Sequence, residues 1–173
     1  MFAINRECRS MLRLMVFCAA AMTGVAAHAE EVPDSIVPPG AQAVFDATAS
    51  GVQVYSCEYD DRRQLGWVLK GPSATLYDDS GQALLTHSAG PTWQAADGSR
   101  IAGHVLAQVP SDHARSVPRL LLEAKSVGGG GMLAQVRYVQ RLETTGGAVP
   151  ARACTAEHQV GSSPYVARYV FLK

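Results

Sequence analysis

Residues 87–100, HSAGPTWQAADGSR, set His87, Trp93, Asp97 and Arg100 within fourteen positions of one another, punctuated by Gly90, Pro91 and Gly98. An imidazole exchanges a proton near neutral pH, an indole offers a flat apolar face, and a carboxylate beside a guanidinium supplies opposite charges. A few polar anchors among mainly apolar walls are what small-ligand pockets use, so the first expectation is a site for a small or sugar-like ligand lined by these four residues and His104. The same residues can be read as chemistry, with His87 a general base and Asp97 its orienting or acid partner, as a secreted hydrolase or lyase would need. A third reading needs no ligand: Gly90-Pro91 ends one strand, Trp93 plugs the core from a short strand, and Asp97-Gly98 turns the chain with Ser99 bonding its backbone. A structural or surface-interaction protein of that kind would keep His87 and Trp93 apart and Trp93 enclosed.

Other reaction chemistry finds no footing. The chain has no GxSxG elbow, no SxxK and no HxH or HExxH pair. His87 and His104 could meet across neighbouring strands and hold a metal with Asp97, but lone histidines on strands more often bond locally, and no metal is expected. His113 sits in a polar loop, PSDHARSVP, and reads as solvated.

The elements that must position these side chains are strands. The segments 51–59, 73–78, 82–88, 100–109, 117–127, 132–143 and 165–173 are 6 to 12 residues long and alternate or carry β-branched and aromatic residues. Between them lie DDSG at 78–81, ADGS at 96–99 and GGGG at 128–131, all turn chemistry. No segment past residue 29 has sustained helical spacing with caps at both ends. The pattern predicts an all-β, antiparallel sandwich or barrel of about nine or ten strands in a single domain. Within 100–109, strict alternation puts Ile101, Gly103, Val105, Ala107 and Val109 on one face and Arg100, Ala102, His104, Leu106 and Gln108 on the other. In the last segment Tyr165, Ala167, Tyr169 and Phe171 oppose Val166, Arg168, Val170 and Leu172, two apolar faces with a single Arg, as a buried strand closing the sheet would have.

The amino terminus reads as an export signal over residues 1–29. Arg6, Arg9 and Arg13 precede a short apolar run at 14–21, and Ala27-His28-Ala29 has the small-x-small form that signal peptidase cleaves. A lipoprotein reading fails at Cys18, because Phe17 is too bulky to precede a lipidated cysteine. The expected organisation is a signal peptide at 1–29, an extension at 30–42 and a β-domain at 43–173, in a periplasmic or secreted protein with no membrane span once the signal is gone. The expected mature chain has 144 residues and, with 12 basic against 14 acidic side chains, a net charge of −2 with His neutral. Nucleic-acid binders normally show a basic surface and peripheral membrane proteins a basic amphipathic helix, and neither pattern is present.

Cys57 and Cys154 are the two thiols that would remain after cleavage, and in an oxidising compartment they most simply pair. The bridge would tie an early strand to a late loop. A redox role lacks the CxxC spacing that lowers a thiol pKa.

The motifs GVQVYSC (51–57), HSAGPTW (87–93) with DGSRIAG (97–103), PRLLLEA (118–124), YVQRLETTGGAVPARAC (138–154) and YVARYVF (165–171) together resemble the family of domain of unknown function 3455, found in exported bacterial and fungal proteins. The resemblance runs from about Val37 to the C-terminus. It implies the His87, Gly90-Pro91-Thr92-Trp93 and Asp97-Gly98-Ser99 positions and both Cys57 and Cys154, and no particular activity. The chain departs from the family's pattern at Arg119, where relatives usually carry an aromatic.

Some such relatives carry a malate dehydrogenase label, which raises the possibility of dinucleotide binding at the glycines. Residues 129–134, GGGMLA, satisfy GxGxxA after an apolar strand, but the pattern needs a helix directly afterwards to present its N-terminus to a pyrophosphate. Residues 132–143 instead alternate as a strand, with Val136, Tyr138, Gln140 and Leu142 on one side, and no repeated βαβ unit exists to build the fold. A flexible hairpin connection is the plainer account, and no cofactor is expected.

Overall fold

The computed structural model describes residues 31–173, and the expected signal peptide lies outside them. Eight strands form one antiparallel sheet: β1 (Ala43–Tyr59), β2 (Leu65–Tyr77), β3 (Ala83–Ser88), β4 (Thr92–Ala95), β5 (Arg100–Val109), β6 (Arg119–Gly128), β7 (Tyr138–Gly146) and β8 (Val160–Leu172). Each strand pairs with its neighbours in sequence, and β8 closes the ring against β1, from Ala43 opposite Leu172 to Ser56 opposite Val160. The sandwich-or-barrel alternative is thereby decided for the barrel, whose closure leaves no edge to aggregate.

The strands number eight rather than nine or ten because the long ones absorb flanking sequence. β1 already begins at Ala43, and β2 takes in LGWVLK ahead of the apolar run that marked it. The stretch after the glycines contributes only its second half: residues 129–137 are loop and turn, and β7 begins at Tyr138. No helix follows Gly131.

Two apolar clusters occupy opposite faces of the sheet. Leu76, Leu85, Trp93, Ile101, Val139 and Phe171 are among the residues that fill the barrel interior. Leu121, Leu142, Val170 and Leu172, of the opposite parity on their strands, lie outside it and are covered by Ile36 of a one-turn 3-10 helix, Asp34–Ile36. The Gln140 amide fastens this cover by donating to the Ile36 carbonyl at 2.6 Å. Arg119 is buried on the same side, its Nε donating to the Pro110 carbonyl at 3.1 Å and its guanidinium 3.2 Å from the Asp112 carboxylate.

Bulges decide which side chains reach the interior. In β5 the register slips between Val105 and Ala107, so Leu106 is the extra residue. Ile101 and Gly103 face inward ahead of it, whereas beyond it Ala107 and Val109 turn out onto the second cluster. The uniform face expected from strict alternation is therefore broken, and Gln108 is re-aimed to the interior side. Where β1 meets β2 a second slip between Val54 and Tyr55 leaves Lys70 extra, at the same end of the barrel.

The two ends differ. At one end the loop 129–137 drops Leu133 and Val136 into the interior, both fully buried. At the other, where residues 60–64, 89–91, 110–118 and 147–159 connect strands, the disulfide Cys57–Cys154 ties β1 to the longest connection across a sequence separation of 97. Trp67 Nε1 donates to the Arg152 carbonyl at 2.8 Å and fastens that connection a second time.

Candidate functional site

An eight-stranded barrel is just wide enough to be filled by side chains or to leave room for one small molecule, and here one half is filled while the other leaves a hollow. Trp93, Phe171 and their neighbours fill the half nearer Leu133. The half nearer the disulfide holds a hollow of about 370 Å³ that opens at this end, and every strand contributes a residue to it: Gln53, Leu69, His87, Trp93, Val105, Leu120, Arg141 and Tyr169 in strand order. At liquid density that space equals roughly a dozen water molecules.

His87 and Trp93 form the floor of this hollow. They sit directly opposite each other on β3 and β4, and their rings stack at 4.4 Å between centroids with 5° between planes. Tyr169 packs edge-on against both, at 5.2 Å from the imidazole and 5.9 Å from the indole. Each of the stacked pair is only 1% exposed. The imidazole thus occupies the face of Trp93 that sequence alone offered to a ligand, and the indole's far ring edge lies against Gly103, where an added Cβ would come within 2.9 Å of Cζ3. Of the two features expected of a pocketless protein, the enclosed Trp93 is present and the separation of the rings is not.

Burial also sets the charge state of His87. With water excluded from the imidazolium, its pKa is pushed down to about 4; the Thr92 carbonyl works against that shift and the charge of Arg141 reinforces it. His87 is therefore neutral at ordinary pH. Its Nδ1–H donates to the Thr92 carbonyl at 2.8 Å, which leaves Nε2 as an acceptor.

Around this floor stand polar groups that lack partners among the described residues. Gln53 Nε2, Trp93 Nε1 and the hydroxyls of Tyr165 and Tyr169 are buried and make no hydrogen bond. The two tyrosines and Arg141 are close enough to influence one another, but not in the geometry of a formed hydrogen bond. Burial is the main reason both phenols are held above their ordinary range. Arg141 itself is 9% exposed, donates its Nε–H to the Pro118 carbonyl at 3.0 Å and has no carboxylate partner among the described residues. Leaving a buried polar group unpaired costs about 1–3 kcal/mol, and a charge more, so such a concentration calls for an explanation.

The remaining expected site residues lie elsewhere. Asp97 is in the β4–β5 turn, at the barrel's opposite end, where its carboxylate accepts from Met132 N at 2.7 Å and from Ser99 N and Oγ at 2.9 and 2.6 Å. Ser99 Oγ in turn accepts from Leu133 N at 3.2 Å. This network holds the loop that plugs the barrel; at Gly131 an added Cβ would strike the Asp97 carboxylate. Arg100 is exposed at the start of β5, opposite Gln94. His104 is exposed on the outer face of β5, opposite Glu123. The hollow thus brings together His87 and Trp93 and neither Asp97, Arg100 nor His104. Sequence reasoning misses Gln53, Arg141 and Tyr169; parity with Tyr165, Ala167 and Phe171 is the available signal for Tyr169, whereas Arg141 shares the interior face of Val139 on a strand whose two faces are both covered.

A family model described as a protein of unknown function (DUF3455) matches residues 38–173. The chain belongs to that DUF3455 family. The matched span contains all eight strands, the hollow and the disulfide. No curated protein and no solved structure matched the chain. Among the described residues no helix is long and apolar enough to cross a membrane.

Proposed function

We propose that this member of the DUF3455 family is an exported binding protein that takes one small organic ligand into the hollow at the disulfide-fastened end of its barrel. The observation that carries the reading is the coincidence of empty space and unsatisfied donors: a hollow of about 370 Å³ lined by Gln53 and Tyr169, whose Nε2 and hydroxyl are buried without partners among the described residues. Protein interiors are otherwise close-packed and their buried polar groups are paired, so a fold with no ligand to hold would gain stability by filling this space with apolar side chains. A disulfide suits an oxidising compartment, which supports export. The hydrolase reading has less support: His87 is a weak base at about 4, and the Asp97 carboxylate is engaged by Met132 and Ser99.

The test is a fragment screen by thermal denaturation, comparing the wild-type protein with a variant whose hollow is filled. Val105 lines the hollow and is 42% exposed, outside the buried core, so Val105→Trp is expected to fill the space with an indole and leave the core intact. A ligand that binds only the folded state at 100 times its Kd adds about 2.7 kcal/mol of stability. Fragments of benzene to naphthalene size are expected to raise the wild-type midpoint and to leave Val105→Trp unmoved. A screen in which no fragment separates the two proteins would refute the reading.

A further inference from the structure

We propose that the ligand is a monocarboxylate with an apolar body, its carboxylate received by Arg141; this rests on the reading of the hollow as a ligand site. Three observations converge on it. The hollow's lining contains no Asp or Glu, while it contains Lys70, His87 and Arg141. Lys70 is matched by the Glu58 carboxylate and His87 is held neutral by burial, which leaves the Arg141 guanidinium as the unmatched charge of the lining. The other unsatisfied interior atoms, Gln53 Nε2, Trp93 Nε1 and two tyrosine hydroxyls, are all able to donate. A lining with one unmatched cation and no carboxylate of its own, among further groups able to donate, is complemented by an anion.

The class of anion is set by the count and shape of the charges. One unmatched guanidinium balances a single negative charge, and its planar fork matches the two oxygens of a carboxylate. A phosphate monoester, which carries closer to two charges at neutral pH, would leave charge uncompensated in a site walled by Leu120, Leu122, Val117 and Trp93. Those same walls require the rest of the molecule to be apolar. Arg141 is also placed to bind rather than to brace: Nε is spent on the Pro118 carbonyl, which orients the side chain, while its charge faces no carboxylate among the described residues.

Isothermal titration of the intact protein at pH 7.5 with benzoate and hexanoate, each beside its neutral amide, tests this directly. The acids are expected to bind about tenfold or more tighter than benzamide and hexanamide, the margin of a charge-assisted hydrogen bond over a neutral one, and Arg141→Met is expected to erase that preference. Equal binding of acid and amide, or a preference that survives Arg141→Met, overturns the carboxylate inference and leaves the ligand site standing. If none of the four binds while neutral fragments still stabilise the wild type but not Val105→Trp, the carboxylate inference falls alone; if those fragments are silent too, both fall. Should Arg141→Met fail to fold, the Arg141 Nε–H resonance of the wild-type protein gives the same answer. It is expected to shift with benzoate and not with benzamide, and an unmoved resonance under saturating benzoate counts against the proposal.

Discussion

His87 binds its proton less readily in the folded chain than in the unfolded one, because burial places it at about 4 whereas an exposed imidazole titrates near 6.5. Between those values the unfolded state carries the extra proton. The stability tied to His87 is therefore fully present above about pH 6.5, falls as pH drops, and is gone below about 4, a loss on the order of 3 kcal/mol. Urea midpoints of the wild type and His87→Gln across pH 4 to 7 are expected to converge toward acid, the variant lacking this component; parallel curves would contradict the burial argument. His87 and Trp93 are legible in the sequence because their neighbours Leu85 and Ala95 share their parity and leave only one face for the core. Arg141 is not, because both faces of β7 are covered: Tyr138, Gln140 and Leu142 alternate as well as Val139 and Arg141 do, and nothing in YVQRLE says which set a 3-10 turn more than 100 positions away will cover.

Among elements, the connection after the glycines shows how a turn can account for residues that catalysis was invited to explain. Asp97 and Ser99 spend their polar atoms on the amides of Met132 and Leu133, and so hold the segment that plugs the barrel opposite the hollow. The Met132 amide first, then the Ser99 hydroxyl, keep the Asp97 carboxyl below its ordinary range. A carboxylate so depressed contributes stability that is present above the unfolded value and is lost as pH falls through the folded one. Asp97→Ala is expected to speed hydrogen exchange at Met132 and Leu133 at neutral pH while leaving amides around His87 as protected as before, and acidification of the wild type should reproduce the pattern. Equal acceleration at both ends would show that Asp97 supports the whole sheet and not one loop. Bulges are the element-level feature that alternation hides. Val105-Leu106-Ala107 is a run of three apolar residues that alternation can continue through in either phase, so only the β6 register reveals that Gln108 and not Ala107 faces the interior side.

For the molecule as a whole, closure of eight strands into a ring leaves one end plugged and the other open, and the disulfide sits at the open end. Closing a loop of 97 residues is worth about 4–5 kcal/mol on the chain-entropy model, and removal of such bridges from small exported domains commonly costs about 2–5 kcal/mol. The location adds a local effect to that global one. Cys57 and Cys154 fasten the 147–159 connection beside Gly147, whose carbonyl accepts from the Tyr55 hydroxyl at 2.7 Å and whose backbone packs on Gln53 and Tyr165. Losing the bridge should therefore loosen the wall of the hollow before it loosens the plug. The double substitution Cys57→Ala with Cys154→Ala is expected to lower stability by about 2–5 kcal/mol, to speed exchange in 147–159 more than in 129–137, and to shorten ligand residence where benzoate binds. Uniform acceleration over both ends, with residence unchanged, would mean that the bridge acts on the unfolded chain alone and that the mouth of the barrel is shaped by its strands.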